Sequence, residues 1–195
     1  MLNDRSSILA LLETRRSGRP RDLVAPGPSP EELRRILAIA ARTPDHGKLH
    51  PWRFVHVSRD KRDAFAALLE RAYRVDNPDP GRIEIEAAHR FAHQAPELIV
   101  ALSAPVHGYK IPVWEQELSC GAACMNLLLA AHAMGYVGGL VTGWAAYSDM
   151  VRDAFGREGE RIAGFIFLGT PGAELEERPR PERDEVVSEW APETP

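Results

Sequence analysis

The chain has 195 residues, 44% of them hydrophobic, enough to close one sizeable core, and no composition break divides it, so a single domain over 1–195 is expected. Lys and Arg number 24 against 28 Asp and Glu, a net charge of -4, which argues against general attraction to nucleic acid or to acidic membrane surfaces. No segment approaches the roughly 20 apolar residues of a membrane span, and Met1-Leu2-Asn3-Asp4-Arg5 lacks the order of a leader peptide, so a soluble cytoplasmic protein is expected.

In chain order, Ser6 or Ser7 can cap a helix whose apolar positions Ile8, Leu9, Leu11 and Leu12 form one stripe. It runs into Arg15-Arg16-Ser17, with Gly18 and Pro20 ending it. Ser29, Pro30 and Glu32 announce a second helix through an N-cap, a first-turn proline and a reciprocal capping carboxylate. Its inward stripe is Leu33, Ile36, Leu37 and Ala40. Between Pro44 and Pro51 the chain should be a loop with a defined path, because each proline disfavours a helical residue before it. Arg42, His46, Lys48 and His50 place several donors on that loop, which suits an anionic or polar ligand better than burial.

Trp52 to Val57 reads as a strand with bulky residues on both faces, expected inside a sheet covered on each side. Asp60 to Arg74 is a helix with Phe65, Leu68, Leu69 and Ala72 inward, and Asp76 to Gly81 a polar, proline-rich loop. Arg82 to His93 is a further helix. Its His89 and His93 lie four apart, but no Cys or acidic partner completes a zinc set, so no metal is expected. Glu97 to Leu102 is a buried strand.

Val113 to Met134 is the longest helical pattern and is apolar nearly all round. One domain of this size rarely encloses such a helix, so part of it should meet a second copy of the chain. Cys120 and Cys124 sit inside it as reduced, buried thiols. Gly135 ends it, Gly138-Gly139 opens a strand Leu140-Val141-Thr142-Gly143-Trp144, Ser148 caps a short helix, and Arg161 to Gly169 is the last core strand. Beyond Thr170 the composition of Pro, Glu and Arg cannot build a core, so this part is either disordered or draped on a partner.

Four motifs in this order, Arg15-Arg16-Ser17, Pro44-Asp45-His46, Trp114-Glu115-Gln116-Glu117 and Gly169-Thr170-Pro171, resemble the small bacterial members of the nitroreductase family. The resemblance implies an α+β fold with a central, mostly antiparallel sheet flanked by helices. It further implies an intertwined homodimer with FMN at the subunit interface, and a C-terminal arm, 170–195, reaching the other subunit. Arg15, Arg16 and Ser17 are then expected at the flavin phosphate and ribityl chain, where guanidinium forks and a hydroxyl suit a doubly charged group. Arg42 and His46 are the expected flavin contacts of the loop, with Lys48 and His50 next. Val141, Thr142 and Gly143 are expected beside the ring, and Arg180, followed by Arg178 and Arg183, at the phosphate. The implied activity takes a hydride from NADH or NADPH and reduces a nitroaromatic, a quinone or a similar small acceptor by a ping-pong mechanism. No catalytic side chain is expected, since the cofactor carries the chemistry. Dehalogenation or flavin cleavage on the same fold, or flavin binding without catalysis, are the alternatives.

Overall fold

The computed structural model describes residues 1–192. Strand β5 (Arg161–Pro171) is its axis, pairing antiparallel with three others. On one side lies β3 (Glu97–Ser103), which pairs in turn with β2 (Trp52–His56). On the other side lies β4 (Val137–Val141), and β1 (Leu23–Val24) joins the far end of β5 at Thr170 and Pro171. Phe165, Ile166, Phe167 and Leu168 of β5 are fully buried, as an axial strand covered on both faces requires. The sheet therefore ends at β2, while β4 and the two-residue β1 each pair with β5 alone.

Eight α-helices accompany the sheet among the described residues. They are α1 (Ile8–Thr14), α2 (Pro30–Ala40), α3 (Arg62–Asp76), α4 (Arg82–Ala92), α5 (Val113–Ala133), α6 (Trp144–Tyr147), α7 (Asp149–Phe155) and α8 (Arg183–Val186). The core divides by sheet face. Phe65, Leu69, Ala88, Leu98, Val100 and Phe165 pack under α3 and α4, and Ile36, Ala40, Ile99, Cys124, Leu127 and Ile166 pack under α2 and α5. The α2 capping box forms as expected, with Ser29 and Glu32 bonding each other's backbone N–H, and Ser7 is the cap of α1.

Several expectations are corrected. The β2 strand lies at an edge, with Arg53, Phe54 and Val55 only partly buried, Val55 packing against the core on one face and Phe54 on the other. The strand after Gly138 ends at Val141, since Gly143 adopts φ 116° and Trp144 starts α6. Ser148 stands at the start of α7 but its hydroxyl caps nothing. In α1 only Leu11 is buried; Ile8, Leu9 and Leu12 face outward. Helix α5, expected to be only partly enclosed by one domain, keeps an outward face with Trp114, Leu118 and Met125 exposed. No helix among the described residues is long and apolar enough to cross a membrane.

Two buried polar groups fix the frame. The Arg62 guanidinium is 3% exposed and donates to the carbonyls of Val57, Ala92, Gln94 and Pro96 at 2.8–3.3 Å, tying the start of α3 to the turn before β3. Burial pulls its pKa below the usual arginine range, opposed by the Glu97 carboxylate. His132 is fully buried at the end of α5 and accepts the Gly138 N–H on Nε2 at 3.0 Å. Burial first, then the Arg15 charge, lower its pKa to about 4.

A lysine at position 62 keeps the charge but not the planar fork that reaches four carbonyls, so Arg62→Lys is expected to cost about 2–3 kcal/mol in urea unfolding. For His132 the unfolded ring titrates near 6.5 and the folded ring near 4. The unfolded chain binds the extra proton first, so this group's stabilisation is complete above about pH 6.5 and is lost as pH falls toward 4, roughly 3 kcal/mol in all. Unfolding free energies measured across that window should fall less steeply in His132→Gln than in the parent chain.

Candidate functional site

The expected site residues fall into three groups. In the first, Arg15, Arg16 and Ser17 leave α1 and cross the start of β4, half-buried. Asn3 clasps this stretch, donating from Nδ2 to the Arg16 carbonyl and accepting the Arg16 N–H on Oδ1, at 3.0 and 2.8 Å. Arg15 Nη1 donates to Ser17 Oγ at 3.1 Å, and Arg16 Nε to the Glu176 carbonyl at 2.6 Å. The chain beyond β5 folds back here, and Arg180 donates to the Arg15 carbonyl and to Glu177. Arg180 thus stands beside Arg15 within one chain.

Charge at this corner is unbalanced. The Arg15 pKa is lowered first by burial, then by the guanidinium groups of Arg180 and Arg16 and less by Arg178, with the Glu177 carboxylate opposing. Arg15 and Arg16 are half-buried and Arg178 and Arg180 exposed, and the Glu177 carboxylate is shared by Arg16 at 4.0 Å and Arg180 at 2.9 Å. Such a cluster is stabilised by an anion able to accept several charge-assisted bonds.

The second group stands at the other end of β4. Thr142 and Gly143 are exposed, and a Cβ built on Gly143 meets nothing within 4 Å. With φ at 116°, a larger residue there is strained as well as intrusive. Four residues of strand separate Gly138 from Thr142, about 13 Å at the usual rise. Just past this end opens a cavity of about 480 Å³ lined by Ser103, Cys120, Gly121, Ala146, Tyr147 and Ile162, among others. Its rim carries two ion pairs, Glu117 with Arg161 and Asp149 with Arg152.

The third group lies elsewhere. Arg42, His46 and His50 are exposed on the loop between α2 and β2, where Lys48 and His50 adopt φ values of 56° and 50°. Helix α5 holds this loop, with Ser119 donating to the Pro44 carbonyl, Asn126 to Thr43 and His46 paired with Glu115 at 2.8 Å. The loop feeds β2, at the opposite edge of the sheet from β4. Three strand spacings, about 14 Å, separate those edges. Arg42 has no carboxylate within 4 Å among the described residues.

The structure therefore joins Arg15, Arg16, Ser17 and Arg180, sets Val141, Thr142 and Gly143 along the same edge, and puts Arg42, His46 and His50 on the loop that α5 holds before β2. It also shows residues that motif reading passed over. Asn3 carries no periodic signal, but it holds the Arg16 backbone. His132 is a lone imidazole in an apolar helical stretch, a polar residue at an inward position. In Trp114-Glu115-Gln116-Glu117 the informative member is Gln116, 2% exposed, which bonds Val106 through both its N–H and carbonyl and donates to the Ile111 carbonyl, fastening the loop before α5. Among the described residues no three His, Cys, Asp or Glu side chains gather as a metal site. Cys120 and Cys124 are free and buried.

Comparison with known proteins bears on the family and the fold. The protein of Escherichia coli K12 named "Putative NAD(P)H nitroreductase YdjA" is 38% identical over 164 residues, 84% of this chain and 87% of that one. A Haemophilus influenzae protein named "Putative NAD(P)H nitroreductase" is 40% identical over 173 residues, 87% of this chain and 91% of that one. Among solved structures, the nitroreductase-like family protein from Bacillus cereus superposes with a TM-score of 0.77 at 20% identity, over 94% of this chain and 95% of that one. The FMN and NADPH-dependent nitroreductase NfnB of Sphigopyxis gives 0.74 at 17%, over 95% and 99%. At such identities these two speak for the fold. The model of the nitroreductase family matches residues 12–170, and the chain belongs to that family.

Proposed function

We propose that the protein is an FMN-dependent oxidoreductase that takes a hydride from NAD(P)H and reduces a small ring acceptor of the nitroaromatic or quinone type. The observation that carries this reading is the unbalanced guanidinium corner of Arg15, Arg16 and Arg180 at one end of β4, with the open Gly143 turn at the other. A ligand with a phosphate at one end, a planar ring at the other and a ribityl chain between matches that layout. The names of the Escherichia and Haemophilus relatives, and of NfnB, support FMN and NAD(P)H as the reagents.

On this reading Arg15, Arg16, Ser17 and Arg180 hold the phosphate, bidentate forks fixing its orientation. Val141, Thr142 and Gly143 lie against the ring, where the absent Cβ of Gly143 permits close approach. FMN, when bound, supplies the hydride-accepting and hydride-donating centre. The cavity past Gly143 receives the acceptor, and its paired rim charges favour an uncharged ring over an anion. No residue of the chain is assigned as a proton donor.

Arg42, His46 and His50 complete the site from a second copy of the chain. In each chain they stand on the loop before β2, at the opposite sheet edge from β4, and on this reading they reach the ligand held by the partner. The exposed apolar side chains of α1 and α5, with Trp190 near the C-terminal end, are the surfaces that a homodimer would cover. The chain beyond β5 is the proposed arm.

Purified protein should be yellow and release about one FMN per chain on heating, and the colour should bleach with NADH or NADPH; a colourless chain whose melting temperature FMN does not raise rejects the reading. Arg15→Ala and Arg42→Ala should each weaken FMN binding by about ten- to a hundredfold, the worth of a charge-assisted bond. The two variants, unfolded together and refolded as a mixture, should regain one tight site in each mixed dimer, since one of its two sites then has both arginines. If Arg15 and Arg42 serve the same chain's site, mixing restores nothing.

A further inference from the structure

The backbone of β4 explains how the anion corner is built. At Gly138 the N–H and the carbonyl both point away from β5, as alternate residues of an antiparallel edge strand must. Both groups are taken. The N–H goes to Nε2 of His132 at 3.0 Å, and the carbonyl accepts the N–H of Gly18 at 3.2 Å. Gly18 follows Ser17 directly, so the turn carrying Arg15, Arg16 and Ser17 hangs on this one residue of the strand.

The seating is close. A Cβ at Gly139 would stand 2.5 Å from the Gly18 carbonyl oxygen, and one at Gly18 would stand 2.8 Å from Leu23 and 2.9 Å from Val137. His132 occupies the inner side of the junction, fully buried. Because Nε2 accepts, the ring proton sits on Nδ1, which has no partner. A leucine would fill the same space without that orphan donor, so what distinguishes the imidazole here is its lone pair on Nε2.

We propose that His132 is a positioning residue for the phosphate end of the cofactor site, holding the Gly138 N–H so that Gly18, and through it Arg15, Arg16 and Ser17, keep their place on the strand edge. The inference rests on the assignment of Arg15–Ser17 to the phosphate. It makes the effect of His132 specific to ligands that carry one.

The test titrates flavin-stripped protein with FMN and with riboflavin, which has the ring and ribityl chain but no phosphate. The parent chain should prefer FMN by about a hundredfold or more. In His132→Leu that preference should fall about tenfold or more with riboflavin affinity unchanged, and His132→Gln, whose Oε1 can accept the same N–H, should stay within about threefold of the parent. Should His132→Leu fail to fold, His132→Asn, polar but too short to reach Gly138, is expected to lose the preference in its place. Equal weakening of FMN and riboflavin, or an unchanged preference in both variants, overturns the proposal. Arg15→Ala separates the two levels. If it abolishes the preference while the His132 variants keep it, only the role of His132 falls; if it leaves the preference intact, the phosphate assignment falls, and the proposal with it.

Discussion

A single strand shared by three others sets the layout of this protein. Once β5 pairs with β1, β3 and β4, the sheet is left with free backbone groups at β2, at β4 and at the two-residue β1, and each edge has to dispose of its unpaired N–H and carbonyl groups. Arg53 of β2 ties that strand to the residue before β5, making two bonds to Glu160 at 2.7 and 2.9 Å and a third to the Phe155 carbonyl. This contact also holds the Glu160 carboxyl below its usual range, chiefly by hydrogen bonding from Arg53. At β4, the edge is covered by the N-terminal turn and by His132. The proposed cofactor site thus grows from an ordinary demand of sheet structure, the satisfaction of edge groups, at the edge left to loops rather than to helices.

The same constraint accounts for the division of the site. The sequence places Arg15–Ser17 before β1, and Arg42–His50 before β2. Topology then sends the first segment to β4 and the second to the far edge, whatever their chemistry. On the proposed reading the two sets of cationic donors meet one ligand through a second copy, as an isologous dimer would allow by symmetry, each chain offering one edge and receiving the other. The exposed apolar positions of α1, Ile8, Leu9 and Leu12, form with Leu11 one hydrophobic stripe in the sequence, yet only Leu11 is buried; those of α5 belong to a helix that one domain of this size does not enclose.

How much of this was legible in the sequence follows from the range of each signal. Local signals read well: the Ser29 and Glu32 capping box, the extent of α5, and the loop between Pro44 and Pro51 depend on neighbours within a few residues. The edge position of β2 was missed because hydrophobicity reports burial and not the element that supplies it. The boundary at Val141 was missed because Leu140 to Trp144 has strand composition, whereas the positive φ at Gly143 is set by the turn into α6. Of the candidate site, the residue types were visible and their assembly was not, because Asn3, Glu176 and Arg180 meet Arg15–Ser17 only through contacts across the chain.

The electrostatics of the β4 corner bear on why it is built from arginines around a neutral imidazole. Arg15 and His132 are close enough that the charge of the first depresses the protonation of the second. A protonated ring would add a cation to a corner that already holds several, and would lose the lone pair that accepts the Gly138 N–H. Burial and Arg15 therefore act in the same direction, keeping His132 an acceptor at neutral pH. The guanidinium groups, which do not titrate in that range, carry the charge, and the imidazole carries the geometry. Separating the two duties between residue types lets the corner remain strongly cationic without loosening the strand edge on which it is mounted.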